Sequence, residues 1–230
     1  MMARRTFSGM VLAGFAAAVS GCGVFGGNSF RYKLMVEVET LAGIKSGFAV
    51  HEVEFSKSSV DLGELSPKQS SRMRGEAVAV DLPDGQTLFV LIPDTYAVLK
   101  MLDPAGPEGW IEKAFRVAGG DTPKGPQTFA FSSPQNYGKG AEYPLFVRFK
   151  DIKDPKTVEL VMPNDLAASF GAGVRLKRFM AEVTDEDVTV GIERRLPSFG
   201  PETEFDKWRR TIPFGDPRGI SKNSFKSGNL

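Results

Sequence analysis

Phe30-Arg31-Tyr32-Lys33-Leu34-Met35-Val36-Glu37-Val38-Glu39-Thr40 alternates without a break. Phe30, Tyr32, Leu34, Val36 and Val38 share one parity, and Arg31, Lys33, Met35, Glu37 and Glu39 share the other. Successive side chains of an extended chain point to opposite faces, so this period of two specifies a half-buried strand. Downstream, Leu41 to Ser46 reads as a loop and Gly47 to Phe55 as the partner strand of a hairpin. Ser56 to Arg74 is polar and reads as irregular. Glu76 to Leu82 is a further strand with Val78, Val80 and Leu82 on one face. Pro83-Asp84-Gly85 is a turn signal, and Thr87 to Ile92, apolar and β-rich, reads as a central strand.

The texture then changes. Asp94 is placed to cap a helix through Tyr96 to Leu102, and Trp110 to Val117 reads as a second short helix. Gly119 to Gly140 is rich in Gly, Pro and Ser and reads as loop. Pro144 to Phe149 returns to strand, Asp154-Pro155 marks a turn, and Val158 to Met162 is a short strand. Asn164 is placed to cap a helical turn over Asp165 to Phe170, stopped by Gly171. Val174 to Thr184 and Val188 to Leu196 read as a second hairpin joined across Asp185-Glu186-Asp187. From Ser198 onward the chain is polar and aperiodic, which reads as a loose tail. The expected class is mainly β with a few short helices (α+β), in a sandwich-like domain.

The 230 residues include 25 Gly and 15 Pro, about 17% together against an average near 12%, which suits a turn-rich β protein. Lys plus Arg is 29 and Asp plus Glu 28, a net charge of +1 that lacks the basic excess of a nucleic-acid binder. With one Cys and one His, no disulfide forms within the chain and the usual zinc clusters are excluded. No cofactor is expected. Gly21 to Gly26 fits the spacing G-x-G-x-x-G, but no strand precedes it and no βαβ unit surrounds it.

The N-terminal residues carry the clearest functional signal. Arg4 and Arg5 precede an apolar, small-residue run from Met10 to Val19. That run is too short to span a bilayer, which takes roughly 20 apolar residues, and it has the length of a signal-peptide core. It ends in Val19-Ser20-Gly21-Cys22, which resembles the lipobox of bacterial lipoproteins. The resemblance implies a diacylglyceryl group on the Cys22 thiol and cleavage between Gly21 and Cys22. Cys22 then becomes the N-terminus, with several acyl chains giving stable attachment without a membrane span. Gly23 stands where an Asp would imply inner-membrane retention, which favours the outer membrane. Arg4-Arg5-Thr6-Phe7 also resembles part of a twin-arginine signal. Ala3, Ser8 and Gly9 depart from that pattern, so general-secretory and twin-arginine export both stay open. The implied division is a signal peptide over 1–21, lipidated Cys and tether over 22–29, a β-rich domain over 30–197 and a tail over 198–230. The domain has two strand-rich stretches, about 30–93 and 143–197, with helices between. Losing residues 1–21 removes two arginines and no acid, leaving 27 basic and 28 acidic residues.

Arg31 to Thr40, Gly75 to Leu82 and Val183 to Pro197 are similar to stretches in uncharacterised envelope proteins of alphaproteobacteria. That similarity implies a bacterial origin and brings no activity with it.

Candidate chemistry is sparse. His51 lies on the same parity as Ala49, Val53 and Phe55, away from Glu52 and Glu54, so a general base here would lack a local carboxylate. Lys45-Ser46-Gly47 matches one strand motif of penicillin-recognising enzymes, but the Ser-x-x-Lys nucleophile they require is missing. Asp185-Glu186-Asp187, with Glu182, lacks the ligand spacing and glycine of a calcium loop, and reads as a solvated hairpin tip. Asp81 and Asp84 flank a turn, whose chemistry explains them. Arg194-Arg195, Arg209-Arg210 and Arg175, Lys177 and Arg178 are interleaved with acids and read as solvated faces. Trp110 reads as core. Trp208, beside Lys207, Arg209 and Arg210, reads as a clasp docking the tail on the body or on a partner. The expected role is non-catalytic binding or envelope assembly, with the membrane as partner through Cys22 and an envelope protein or glycan as a further partner. The alternatives are an envelope hydrolase assembled only in three dimensions, and a carbohydrate- or ligand-binding module using Trp110, Trp208, Tyr137 and Tyr143.

Overall fold

A computed structural model describes residues 28–57, 69–128, 144–196, 204–213 and 220–228. Strand β1 spans Ser29–Thr40, and its burial alternates along its whole length as the sequence pattern requires. Strand β2, Gly43–Lys57, pairs with it antiparallel from Thr40 opposite Gly43. The connection is therefore only Leu41-Ala42, tighter than the expected loop. Thr40 Oγ1 donates to the Gly43 carbonyl (2.7 Å) and accepts from Ala42 N–H (3.2 Å), and Gly43 takes a φ of 98°.

The irregular reading of Ser56 to Arg74 is corrected where the chain is described. Gln69–Glu76 forms strand β3 on the free edge of β2. Polar cross-strand pairs hold it: Ser70 opposite Ser56, Arg72 opposite Glu54, and Arg74 opposite Glu52, with Arg74 Nη1 3.0 Å from Glu52 Oε2. Residues 58–68 lie outside the described residues.

The second hairpin is also corrected. Arg175–Val183 forms strand β9, which pairs with β1. The chain after it folds back over the outward face of that sheet. Arg31 donates to the carbonyls of Asp185 and Glu186 and to Asp187 Oδ1, and Lys33 pairs with Glu186. Thr189 N–H donates to the Val50 carbonyl (3.1 Å), and Val50 N–H donates to Thr189 Oγ1 (2.8 Å). The cations on the solvent parity of β1 draw in the acidic segment, and Ile192–Arg194 ends as a 3₁₀ turn.

The six-stranded antiparallel sheet runs β10-β3-β2-β1-β9-β6, with β6 at Gln127–Thr128 and β10 at Lys226–Ser227. A four-stranded antiparallel sheet runs β4 (Val78–Asp81), β5 (Thr87–Val90), β7 (Phe146–Phe149) and β8 (Val158–Leu160). The two strand-rich stretches of sequence thus interleave, since β9 joins β1 while β7 and β8 join β5. Helix α1, Thr95–Leu102, is capped by Asp94, whose carboxylate accepts from Tyr96 N–H. Helix α2 spans Trp110–Gly119, and α3, Leu166–Phe170, is capped by Asp165 rather than Asn164. Helix α4 spans Glu204–Arg209.

The inward parity of β1, with Val78, Val80, Leu88 and Val90 of the small sheet and the apolar faces of α1 and α2, forms one core. The opposite face of the small sheet forms a second core around Phe89, Leu91, Val147 and Val158. This explains the unbroken apolar run from Leu88 to Leu91: alternate residues serve different cores. Where the sheets cross, a Cβ on Gly47 would lie 2.2 Å from the Ala79 carbonyl oxygen, so only glycine permits the approach.

The second core corrects the loose-tail reading over the described C-terminal residues. Ile220 and Phe225 are buried in it, and Trp208 packs against it. Phe225 also accepts at its carbonyl from Ala77 N–H (2.8 Å), and β10 pairs with Gly75 and Glu76. The fold is mainly β: two stacked antiparallel sheets with short helices, and a third layer of C-terminal chain over the small sheet.

Candidate functional site

His51 is fixed by β2 pairing with β1, which sets it opposite Tyr32. The two rings stack at 5.0 Å with planes 27° apart. His51 is fully buried, and its Nε2–H donates to the Glu76 carbonyl at 2.7 Å. Because a carbonyl only accepts, this bond places the proton on Nε2 and leaves Nδ1 as an acceptor, which has no partner. Burial pushes the pKa down to about 4, against a smaller upward effect of the Glu76 carbonyl. The imidazole is neutral at pH 7 and sealed from solvent. The backbone of Gly75 closes over it: a Cβ there would lie 2.4 Å from His51 Cδ2, at a φ of 144°.

Glu76, which sequence reading passes over as the first residue of a strand, is the centre of this region. Its carboxylate is buried and accepts from Gly191 N–H and Ile192 N–H, each at 2.8 Å. Lys226 lies 3.9 Å from it and pairs with Glu193. One residue thus links His51 through its carbonyl, the 191–194 turn through its carboxylate, and β10 through Lys226. The arrangement is a brace between the large sheet and the C-terminal layer. No spacing in the sequence links positions 51, 76, 191 and 226. A second buried brace is at the α1–α2 connection, where Asp103 accepts from Arg116 Nε (2.9 Å) and its carbonyl accepts from buried Lys113 (2.7 Å).

The remaining candidates stand apart. Asp81 is held by Arg195 through two bonds of 2.6 and 3.0 Å, and the guanidinium keeps its carboxyl below the usual range. Asp84 sits exposed in the Pro83–Gly85 turn. Trp208 is half-buried against the second core, in the position of a clasp between α4 and the body. Trp110 packs against the first core. Cys22, Gly21, Tyr137 and Tyr143 lie outside the described residues.

Surface cavities among the described residues include two along the sheets. One, of about 420 Å³, has Gln86, Thr87, Arg148 and Lys150 over a floor of Phe89 and Phe149. Its cations are already engaged, since Arg148 and Lys150 both pair with Glu159. The other, of about 680 Å³, lies along β3 beside Arg72, Arg74 and Ser227, and Arg74 is paired with Glu52. Neither is lined by His51, Asp81 or Trp208. Among the described residues no three metal-ligating side chains converge, and no helix is long and apolar enough to cross a membrane. No protein-family description, characterised protein or solved structure matches this chain.

Proposed function

We propose that the protein is a lipid-anchored, periplasm-facing bacterial lipoprotein whose β-rich domain serves binding or assembly in the cell envelope, with the outer membrane favoured over the inner. The observation that carries this reading is the order charged start, short apolar run and Val19-Ser20-Gly21-Cys22, which places the only cysteine of the chain at the lipidation position. The first strand begins at Ser29, seven residues after Cys22, so a short tether joins anchor and fold. The non-catalytic role draws support from His51, the only histidine, which is buried, neutral and turned toward Glu76.

Detergent-phase partitioning tests the anchor. The chain made in a bacterium with lipoprotein-processing enzymes is expected in the detergent-rich phase, and Cys22→Ala in the aqueous phase. Wild-type protein in the aqueous phase would refute the reading.

A further inference from the structure

The β1–β2 turn is the most exposed apolar feature among the described residues. Leu41 is 89% exposed and Ile44 53%. Leu41 leans against the loop after α3, where a Cβ on Gly173 would touch its Cδ2 at 2.8 Å. From Leu166 to Val174 there is no charged residue, and Ala167, Ala168 and Ala172 are exposed. Leu41 to Ile44 is likewise uncharged. Two adjoining loops therefore make one end of the molecule smooth, apolar and free of charge. Its border is mixed with cations in excess: Glu39 and the exposed Asp165 against Lys45, Arg175 and Lys177. Lys45 follows Ile44, and Lys177 follows Arg175 on β9. Arg175 is spent on Glu39, which Lys177 also attracts at longer range, and Lys45 and Lys177 form no direct ion pair among the described residues.

We propose that this end is a membrane-docking tip, in which Leu41 and Ile44 enter the interface of the anionic bilayer that holds the anchor while Lys45 and Lys177 meet its phosphates. The proposal rests on the lipoprotein reading. An apolar point bordered by lysines has the composition of an interfacial contact, with apolar area entering the acyl boundary and cations attracted to anionic headgroups. Two apolar side chains bind a membrane weakly from solution, but a tether holds them at high effective concentration, so a weak contact suffices.

The reach is sufficient. The eleven steps from Ser29 to Thr40 rise about 3.3 Å each, which sets the tip about 36 Å from Ser29. The seven steps from Cys22 to Ser29 span at most about 24 Å. Anchor and tip therefore touch one bilayer together when β1 is inclined by less than about 40° to its plane.

The test uses the full mature lipoprotein in phosphatidylcholine vesicles with and without phosphatidylglycerol. The lipid thioether occupies Cys22, so Leu41→Cys or Ile44→Cys supplies the only free thiol for a polarity-sensitive fluorophore. Expected is a blue-shifted emission with at least about a twofold rise over the same label on a Cys22→Ala chain in buffer. The shift should shrink without phosphatidylglycerol, and in a Lys45→Glu/Lys177→Glu variant. Protein that floats with the vesicles while the label keeps its aqueous emission would overturn the tip and leave the anchor standing. A label that is aqueous on lipid vesicles but buried in native membranes would overturn the lipid proposal in favour of a protein occupant. Protein that does not float would overturn both.

Discussion

His51 is neutral at pH 7 because the fold gives its ring no water and no anion, only a carbonyl. The folded pKa, about 4, lies below the ordinary value of 6.5, so between these values the unfolded chain binds the proton more readily. Stability therefore rises with pH across this window and is lost as pH falls from 6.5 toward 4, by on the order of 3 kcal/mol in total. Urea midpoints of wild type should fall over that range, while His51→Gln, which retains a donor for the Glu76 carbonyl without titrating, should show a flatter profile. Equal slopes in the two proteins would contradict the assignment. Glu76→Ala removes the buried acceptor of two backbone N–H groups, and a loss of about 2–4 kcal/mol is expected in denaturant titration. The amides of Gly191 and Ile192 should then exchange faster with solvent. By contrast Asp81→Asn breaks an exposed ion pair and should cost no more than about 1 kcal/mol.

At the scale of elements, legibility followed periodicity. β1 was readable because its alternation is dense, and β5 because its apolar run demanded burial on both faces. Asp94 was readable as a cap because a short acid before an apolar stretch satisfies free helix N–H groups. β3 was hidden because its strand is held by polar pairs with β2, which leave no hydrophobic pattern. Val188 to Leu196 looked like a strand, but β1 already has β2 and β9 on its two edges, so the chain crosses the sheet face at Asp185 to Asp187 and reaches β2, where Thr189 bonds both backbone groups of Val50. The C-terminal layer was hidden because Trp208, Ile220 and Phe225 are isolated in polar sequence and share no period. Phe225 is nonetheless fully buried, in T-shaped contact with Phe89 at 6.1 Å. Phe225→Ala should cost about 3–5 kcal/mol, read as a lowered denaturant midpoint. A variant as stable as wild type would show that the C-terminal chain does not close the second core.

At the scale of the molecule, the fold assigns its unusual buried groups to holding layers together. His51 and Glu76 tie the large sheet to the C-terminal chain, and Asp103 ties α1 to α2. The site read from sequence, Cys22, owes nothing to this framework. The proposed lipidation site is legible because a lipobox is a contiguous run of residues, whereas the buried brace required four segments to meet in space. The central claim is thus the lipid on Cys22, and the intact mass of the mature protein from a membrane fraction tests it most directly. Expected is a chain beginning at Cys22 with a diacylglyceryl adduct, absent in Cys22→Ala. An intact Met1, or an unmodified Cys22 in the soluble fraction, would contradict it.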